Sequence, residues 1–292
     1  MLGEIRGEVR FKEPLAFHTS LRCGGPADIF IIPQDVDDVR KALMFADKEK
    51  LPVALLGSGH STLVRDRGFR GIVIKLEGCL ARMEFHGEEV TIGCGASLST
   101  MIREAAALSL GGIECLVGIP ATLGGALAMN AGGHDGAIWD FVSAVYFLHP
   151  DGTIGELKPA PGSFAYRTFA FPGGAILLGV RLQLHRKPQK EILAEIRARL
   201  KQRKATQPLA LAAAGCIWKN PDYDQTARIF EKAGLKGKRI GGAEISAKHA
   251  NFIINRGGAT AHDVLALLEL ALERVHTQTG IRLVPELRVI GE

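Results

Sequence analysis

The spacing of apolar residues along the chain predicts alternating helices and short strands. Behind Asp35, whose carboxylate can cap a helix, apolar residues recur at helical spacing as far as Ala46. A second helix is expected over residues 98–108. Short apolar runs predict buried strands, and the pair Asp151-Gly152 predicts a hairpin turn beside one of them. The expected strands are residues 52–56, 71–76, 90–92, 142–148 and 175–184.

The pattern of apolar and polar residues changes after residue 185, where the run Arg-Lys-Pro-Gln-Lys interrupts the alternation of strands and helices. Charged helices are predicted over residues 191–204 and 263–278, followed by a closing strand over residues 283–289. A chain of 292 residues is long enough for about two domains. We therefore predict a first domain over residues 1–185 and a second domain over residues 186–292.

Charge is unevenly divided between these two parts. Residues 1–185 carry a net charge of −3, and residues 186–292 carry a net charge of +8. A basic region favours an anionic ligand. Aromatic residues make up only 6% of the chain, so few side chains are available for stacking on nucleic-acid bases. The basic residues also form no dense run. The expected partner is a phosphorylated small molecule rather than nucleic acid.

Several features predict a soluble, cytoplasmic protein. The longest apolar stretch, residues 208–218, has 11 residues, whereas a membrane span needs about 20. The first 13 residues lack the apolar core of a secretory signal. The five cysteines form no C-x-x-C pair, which is typical of reduced thiols, and no His, Cys or Asp cluster has metal-ligand spacing. We expect no membrane contact, no metal and a monomeric state.

Glycine is the most informative residue type, because its 35 residues gather into clusters, of which six of seven lie before residue 150. Residues 57–63, Gly-Ser-Gly-His-Ser-Thr-Leu, follow a predicted strand, so their backbone N–H groups can form an anion-binding nest. The segment matches neither the G-x-G-x-x-G fingerprint nor a P-loop. A plain tight turn explains it equally well.

A longer glycine-containing segment covers residues 118–132 and reads Gly-Ile-Pro-Ala-Thr-Leu-Gly-Gly-Ala-Leu-Ala-Met-Asn-Ala-Gly. Gly124 and Gly125 allow a ligand or another backbone to approach closely, while Asn130 supplies a polar group among small apolar neighbours. Close packing of a helix on a sheet is the alternative interpretation. Two glycine nests far apart in sequence, each beside an apolar segment, suit a large dinucleotide such as FAD.

Residues 118–132 resemble the G-I-P-x-x-x-G-G-A-x-x-M-N-A-G signature of the UDP-N-acetylenolpyruvoylglucosamine reductase (MurB) family. The resemblance runs almost end to end, through further motifs in family order. The short run from Arg167 to Leu178 leaves no room for an inserted substrate-covering loop, which is similar to the shorter, second type of the family. The further motifs are residues 19–25 (T-S-L-R-C-G-G), 57–63, 165–167 (A-Y-R), 215–221 (G-C-I-W-K-N-P), 233–237 (A-G-L-K-G), 246–252 (S-A-K-H-A-N-F) and 285–291 (P-E-L-R-V-I-G).

The resemblance implies an α+β fold. It consists of a two-part FAD-binding domain of the PCMH/vanillyl-alcohol-oxidase type over residues 1–185 and a C-terminal α+β substrate domain over residues 186–292. The implied cofactor is non-covalent FAD, and the implied reductant is NADPH. The implied reaction reduces UDP-N-acetyl-3-O-(1-carboxyvinyl)-glucosamine to UDP-N-acetylmuramate, a step in peptidoglycan precursor synthesis, so the small-molecule partner is a UDP-sugar.

The same resemblance implies that Arg167, Cys216 and Glu286 are catalytic. The guanidinium of Arg167 suits a planar substrate carboxylate, and Glu286, in an apolar setting beside a proline, is its partner. Cys216 is the implied proton donor, since a thiol of ordinary pKa, about 8.5, is mostly protonated near neutral pH. Each residue also has a plainer interpretation: a surface cation, a buried structural cysteine and a solvated strand glutamate.

Two sets of binding residues are also implied by the resemblance, although a solvated helix face explains much of the basic run that contains Arg203. The residues implied for FAD are Gly57, Ser58, Gly59, His60, Ser61, Gly118, Ile119, Pro120, Thr122, Gly124, Gly125 and Asn130. The residues implied for the UDP-sugar are Tyr166, Lys219, Asn220, Arg203 and Gln207.

Departures from the family pattern at four positions matter. His18 and Ser61 stand where the family usually has Asn, His60 stands where it usually has Ser, and Cys216 replaces the usual Ser of the proton donor. The pentapeptide Gly-Ser-Gly-His-Ser is similar to the loop of flavin oxidases in which the His carries a covalent flavin. Two alternatives therefore stay open: an FAD-dependent oxidase with flavin on His60, and a flavin-binding paralogue without catalysis.

Overall fold

A computed structural model describes residues 2–76, 78–133, 135–159, 174–221 and 224–292. In these ranges the chain forms six α-helices: α1 (Val36–Lys48), α2 (Leu98–Ala107), α3 (Leu123–Ala128), α4 (Gln189–Thr206), α5 (Thr226–Lys232) and α6 (Ala261–Thr279). The strands are β1 (Glu8–Pro14), β2 (Pro26–Ile32), β3 (Val53–Leu56), β4 (Thr62–Val64), β5 (Phe69–Lys75), β6 (Met83–His86), β7 (Glu89–Gly93), β8 (Leu110–Gly111), β9 (Gly132–Gly133), β10 (Gly136–Ala137), β11 (Val142–Leu148), β12 (Ile154–Leu157), β13 (Ile176–Gln183), β14 (His185–Arg186), β15 (Ala212–Cys216), β16 (Arg239–Ile240), β17 (Ala243–Ile245), β18 (Phe252–Asn255) and β19 (Arg288–Ile290).

The chain divides into two compact units, and the division is discontinuous in sequence. The first unit comprises Met1–Arg10, Phe30–Ser58 and Ile72–Gln202, and the second comprises Phe11–Ile29, Gly59–Gly71 and Arg203–Glu292. The sequence analysis instead places one boundary between residues 185 and 186, because a change in local pattern cannot show that two N-terminal segments belong with the C-terminal part. The functional division into a cofactor domain and a substrate domain stays a prediction.

The first unit contains a five-stranded antiparallel sheet in the order β12-β11-β13-β7-β6. Its central strand β13 is apolar along most of its length, and Val180 and Leu182 are completely buried. Helix α3 packs against β13 and β7. Elsewhere in this unit, β3 pairs in parallel with residues 72–75 of β5.

The second unit contains an antiparallel sheet in the order β15-β18-β17-β16, against which α6 packs. Helix α6 begins with a capping box between Thr260 and Asp263 and ends at Gly280, whose φ of 72° favours glycine. The core includes the fully buried rings of Trp218 and Phe230, whose centroids are 4.6 Å apart. In the same unit β4 pairs in parallel with β19.

Local patterns predicted most of these elements. Asp35 caps α1 by accepting hydrogen bonds from the N–H groups of Asp37 and Asp38. The helices expected over residues 98–108, 191–204 and 263–278 are α2, α4 and α6, and the strand expected over residues 142–148 is β11. The turn at Asp151-Gly152 joins β11 to β12. These predictions are confirmed, as is the mixed helix and sheet content.

The closing strand expected over residues 283–289 is wrong in extent. Only Arg288–Ile290 forms a strand, while Pro285, which has no N–H to donate, makes an isolated bridge with Trp218. Strand β15 was not predicted either, because its sequence Ala-Ala-Ala-Gly-Cys contains no residue with strong strand preference. In the described ranges, no helix is both long enough and apolar enough to cross a bilayer.

Asp38, in the first turn of α1, is a buried carboxylate that holds the N-terminal segment of the first unit. Its side chain is fully buried and accepts hydrogen bonds from the backbone N–H groups of Arg6 at 3.1 Å, Gly7 at 2.9 Å and Gln34 at 3.0 Å. Burial acts to raise the pKa of Asp38, but the three N–H donors outweigh it and hold the pKa below the ordinary value of 3.8. The ionised carboxylate is therefore the form that the fold stabilises.

We expect Asp38→Ala to lower the free energy of unfolding at pH 7 by about 3 kcal/mol, because three backbone N–H groups lose the buried carboxylate that accepts their hydrogen bonds. A carboxyl group whose pKa is lowered in the folded state stabilises the fold above its unfolded pKa, about 3.9, and loses this effect as the pH falls through the folded pKa. Denaturant unfolding at pH 7 and near pH 3 measures both effects. The control is Asp37→Ala, at an exposed carboxylate of the same turn, with an expected loss below about 0.5 kcal/mol. Equal losses at pH 7 for the two variants would contradict the assignment.

Candidate active site

The first glycine segment and residues 120–122 pack against each other within the first unit. A Cβ atom on Gly57 would lie 2.3 Å from Oγ1 of Thr122, and Oγ of Ser58 donates a hydrogen bond to the carbonyl of Pro120 at 3.1 Å. In the part of the chain that the structure describes, the N–H groups of Gly57 and Ser58 donate to no protein acceptor. The backbone of residues 57–58 is therefore open to a ligand acceptor, and only glycine fits at position 57.

The glycines of the second segment are used differently. Thr122 caps α3 by accepting a hydrogen bond from the N–H of Gly125, and the N–H of Gly124 donates to the carbonyl of Cys94 at 2.7 Å. A Cβ atom on Gly124 would lie 3.0 Å from Cβ of Cys94 and 3.1 Å from its carbonyl oxygen. The N–H groups of Gly124 and Gly125 thus already donate within the protein. These contacts indicate that the two glycines serve close packing rather than hydrogen bonding to a ligand. A direct contact of these glycines with FAD stays a prediction.

Two residues that border α3 adopt backbone conformations that few residue types tolerate. Gly118 has a φ of 76°, and Asn130 has a φ of 41° in the left-handed region, where asparagine is tolerated better than most residues. The Oδ1 atom of Asn130 is buried. The left-handed backbone conformation thus explains why asparagine suits this position of the signature, in addition to the polarity of its side chain.

The second half of the first glycine segment belongs to the second unit. Gly59 is buried with a φ of 69°, and a Cβ atom there would lie 2.1 Å from the carbonyl oxygen of His18. Its own carbonyl accepts a hydrogen bond from the N–H of Ser20 at 3.1 Å. Nε2 of His18, which stands in place of the usual Asn, lies 2.9 Å from Oε1 of Glu13. The opening motif, to which the sequence analysis assigns no role, thus supports the loop at Gly59.

His60 and Ser61 continue from this glycine towards β4. Both residues are half-buried, and the Nδ1 atom of His60 is shielded from solvent. The carbonyl of Ser61 accepts a hydrogen bond from the N–H of Arg288 at 2.9 Å, just before β4 and β19 begin to pair. The C-terminal motif therefore holds the end of the first glycine segment.

Cys216 and Glu286, two of the three predicted catalytic residues, lie on neighbouring segments of the second unit. Cys216 is exposed at the end of β15, where the register with β18 shifts and Gly215 adopts a φ of 73°. The N–H of Glu286 donates to the carbonyl of Ile217, the residue after Cys216, at 2.7 Å. Glu286 is half-buried. The fold thus brings together two residues that are 70 positions apart in sequence.

The exposure of Cys216 sets it apart from two other thiols. Desolvation raises the pKa of Cys23 and the pKa of Cys115 to about 11, and both side chains are buried. A buried thiol cannot reach a substrate, whereas the position of Cys216 allows contact. The plainer interpretation of Cys216 as a buried structural cysteine does not fit this geometry.

Lys219 and Asn220 are anchored by the start of α5. Oγ1 of Thr226 donates to the carbonyl of Lys219 at 2.8 Å, and the N–H of Thr226 donates to Oδ1 of Asn220 at 3.0 Å. The N–H of Lys219 also donates to the carbonyl of Val284 at 2.9 Å. The oxygen of Asn220 is therefore already engaged in the fold, and substrate binding by Lys219 and Asn220 stays a prediction.

The remaining predicted site residues fall into two groups. Arg203 and Gln207 lie one turn apart at the carboxyl end of α4, where the N–H of Gln207 donates to the carbonyl of Arg203. Their role towards a diphosphate stays a prediction. Arg167 and Tyr166 lie outside the described residues. Among the residues that are described, no group of three or more His, Cys, Asp or Glu side chains is arranged to hold a metal ion.

Comparison with known proteins points to one family. The family model for the C-terminal domain of UDP-N-acetylenolpyruvoylglucosamine reductase matches residues 207–290, and a family model for an FAD binding domain matches residues 27–158. The chain is 41% identical over 286 residues to UDP-N-acetylenolpyruvoylglucosamine reductase 2 of Symbiobacterium thermophilum. This similarity covers 98% of the chain and 93% of the relative.

Solved structures agree with this result. The crystal structure of UDP-N-acetylenolpyruvylglucosamine reductase (MurB) from Thermus caldophilus is similar with a TM-score of 0.84 and 35% identity, over 98% of this chain and 100% of that one. A cholesterol oxidase variant from Brevibacterium sterolicum is similar with a TM-score of 0.50 and 17% identity, over 62% of this chain and 38% of that one. The second likeness concerns the fold alone, which is that of the predicted two-part FAD-binding domain.

We expect Gly57→Ala to weaken flavin binding about tenfold, because the added Cβ atom would lie 2.3 Å from Oγ1 of Thr122, so that either the backbone at residues 57–58 or the side chain of Thr122 must shift. Fluorescence titration of the flavin-free protein with FAD measures the dissociation constant. Gly3→Ala is the matched control in the same unit, since a Cβ atom there meets nothing within 4 Å. Wild-type affinity in Gly57→Ala would remove residues 57–58 from the cofactor site.

Proposed function

The chain belongs to the UDP-N-acetylenolpyruvoylglucosamine reductase family, and from this premise we propose how its own residues divide the work of that family's reaction. The protein is an FAD-dependent oxidoreductase that reduces the enolpyruvyl UDP-sugar to UDP-N-acetylmuramate in peptidoglycan precursor synthesis. The chemistry that FAD would supply when bound is hydride transfer, from NADPH as the reductant to the enolpyruvyl double bond. The residues must then bind the substrate, stabilise negative charge and deliver one proton.

Cys216 is the proposed proton donor. Hydride addition at C3 of the enolpyruvyl group leaves negative charge at C2, delocalised into the adjacent carboxylate, and C2 must then be protonated. The thiol of Cys216 gives up its proton to C2. The observation that carries this proposal is the hydrogen bond between Glu286 N and Ile217 O, which joins the motif of Cys216 to that of the second catalytic candidate. The exposed position of Cys216 at the end of β15 supports the same role.

Glu286 and Arg167 are proposed to polarise the substrate carboxylate. A fixed guanidinium and a neighbouring carboxyl group stabilise the charge that develops there during hydride addition. Glu286 is half-buried and held by its backbone, so it meets the requirement for a positioned group. The part assigned to Arg167 depends on the family motif at residues 165–167.

The UDP diphosphate is proposed to bind the basic C-terminal part of the chain, residues 186–292. The net charge of +8 over residues 186–292 and the fixed backbone of Lys219 support this assignment. Asn220, Arg203, Gln207 and Tyr166 are further proposed contacts. We also propose a location in the cytoplasm, since the thiol of Cys216 must stay reduced to donate a proton. The monomeric state stays a prediction from the sequence.

The cofactor is proposed to bind non-covalently and to be held by backbone N–H groups rather than by charged side chains. The N–H groups of Gly57 and Ser58 are open to an acceptor, which supports this assignment. Gly59 and Gly124 pack closely against His18 and Cys94, and their proposed contact with FAD rests on the family motifs. The proposed contacts also include His60, Ser61, Gly118, Ile119, Pro120, Thr122, Gly125 and Asn130.

Cys216→Ala is expected to keep normal flavin reduction by NADPH but to slow reoxidation by the UDP-sugar about 10²–10⁴-fold, the usual effect of removing a general acid. The first half-reaction moves only a hydride and needs no proton donor. Stopped-flow absorbance separates the two half-reactions. Cys216→Ser is the control and should retain much of the activity, because it restores the family's usual hydroxyl donor. Wild-type reoxidation of Cys216→Ala would remove Cys216 from the mechanism, and a wild-type protein that never turns over would favour the non-catalytic paralogue.

One observation favours a second candidate function, the oxidase with flavin on His60, because Gly-Ser-Gly-His-Ser is similar to a covalent-flavin loop. We expect acid precipitation to release all flavin into the supernatant, since the cofactor is proposed to be non-covalent. Absorbance of the supernatant and of the redissolved pellet gives the partition. His60→Ala is the control, because flavin that stays in the wild-type pellet but not in that of the variant would identify His60 as the link and favour the oxidase.

A further inference from the structure

Asn251 is a buried amide whose hydrogen bonds all go to the backbone next to Cys216. Its side chain is 1% exposed. Oδ1 accepts hydrogen bonds from the N–H groups of Ile217 at 3.2 Å and Trp218 at 3.0 Å, and Nδ2 donates to the carbonyl of Trp218 at 2.9 Å. Only this orientation of the amide satisfies two donors and one acceptor at once. The backbone carbonyl of Asn251 also accepts from the N–H of Ile217, at 3.0 Å.

These bonds replace a strand partner at the point where the sheet is interrupted. The register between β15 and β18 shifts between Ala213 and Cys216, and the positive φ of Gly215 turns the strand there. Directly after Cys216, the amide of Asn251 pairs with the two following residues. On the other side, the carbonyl of Ile217 accepts the N–H of Glu286. The backbone that carries Cys216 is thus held between Asn251 and the C-terminal segment.

Lys219 does not depend on Asn251 in the same way. Its N–H donates to Val284 and its carbonyl accepts from Thr226, so its position is fixed by separate contacts. Loss of the Asn251 amide should therefore displace the residues at Cys216 more than the residues at Lys219. The consequence for the reaction is a defect in proton delivery with little change in sugar binding.

We propose that Asn251 is a positioning residue that sets the geometry of proton donation by Cys216, an inference that rests on the proposed role of Cys216. A general acid must lie within hydrogen-bond reach of the atom that it protonates, and a displacement of about 1 Å can lower a rate on the order of 10²-fold. Asn251 itself touches backbone only. Its effect on the reaction passes through Cys216.

The strand itself supplies a matched control. Asn255, four residues further along, also makes three side-chain hydrogen bonds to backbone: Nδ2 donates to the carbonyl of Leu21, and Oδ1 accepts from Gly257 and Ala259. Asn255 lies opposite Ala212, at the other end of β15 from Cys216. The substitutions Asn251→Ala and Asn255→Ala therefore remove the same number of side-chain hydrogen bonds at the two ends of β18, but only the first acts beside the thiol.

The experiment follows both half-reactions by stopped flow in the FAD-loaded proteins. In Asn251→Ala we expect flavin reduction by NADPH within about twofold of wild type, a Michaelis constant for the sugar within about threefold, and reoxidation by the sugar slowed about 10–100-fold. Asn255→Ala should reoxidise within about twofold of wild type at equal flavin content. Asn251→Asp keeps the acceptor for both N–H groups, so its rate should lie between those of wild type and Asn251→Ala. If Asn251→Ala does not fold, the comparison of Asn251→Asp with wild type tests the inference instead.

Two further measurements separate positioning from a general loss of structure. In a Cys216→Ala background, Asn251→Ala should slow reoxidation no further, because the group through which it acts is absent. The pH profile of Cys216 alkylation by iodoacetamide, followed by mass spectrometry, should shift in Asn251→Ala and not in Asn255→Ala. Reoxidation of Asn251→Ala at the wild-type rate, or equal slowing by Asn251→Ala with and without the thiol, overturns the inference alone. Wild-type reoxidation in Cys216→Ala overturns the proposed function of Cys216, and the inference with it.

Discussion

Glu286 donates its backbone N–H to the carbonyl of Ile217 at 2.7 Å, and this bond places the C-terminal segment beside the strand of Cys216. The same segment then donates from Arg288 to Ser61 and pairs with β4. Residues 286–290 are therefore joined both to the motif of Cys216 and to the end of the first glycine segment. This C-terminal segment therefore connects two parts of the second unit, the motif of Cys216 and the strand β4, that are far apart in sequence.

A second constraint is that buried backbone groups need partners wherever regular pairing stops. Asn251 supplies them after β15, Asp38 supplies them for the N-terminal segment of the first unit, and Thr122 supplies one at the start of α3. In each case a short polar side chain replaces a missing strand or turn. Two of these side chains lie beside candidate site segments: Asn251 bonds to the backbone that follows Cys216, and Oγ1 of Thr122 lies next to Gly57.

The sequence predicted what local periodicity and caps determine. Helix α1 follows from Asp35 and the apolar spacing behind it, and β11 follows from an uninterrupted apolar run. The discontinuous units could not be predicted, because the pairing of β4 with β19 leaves no local pattern. Strand β15 was missed for a different reason, since an Ala-Ala-Ala-Gly-Cys sequence becomes a strand only through its partner β18.

The candidate site shows the same limit. Family motifs identified Cys216 and Glu286, and the fold places their segments side by side. The motifs did not distinguish glycines that leave N–H groups open from glycines that pack, and the contacts of Gly57 and Gly124 make that distinction. Nor did they show why Asn251 belongs to its motif, since its partners are 33 and 34 positions away in sequence.

The replacement of the usual Ser by Cys216 is consistent with the backbone hydrogen bonds that hold this part of the chain. The contacts that hold this part of the chain are made by the backbone of Ile217 and Trp218, so they are the same for either side chain. Desolvation raises the pKa of Cys23 and the pKa of Cys115, and burial keeps both thiols away from any substrate, whereas the strand end exposes residue 216. A change from hydroxyl to thiol at this position therefore alters the proposed acid without altering the backbone contacts that hold residues 217 and 218.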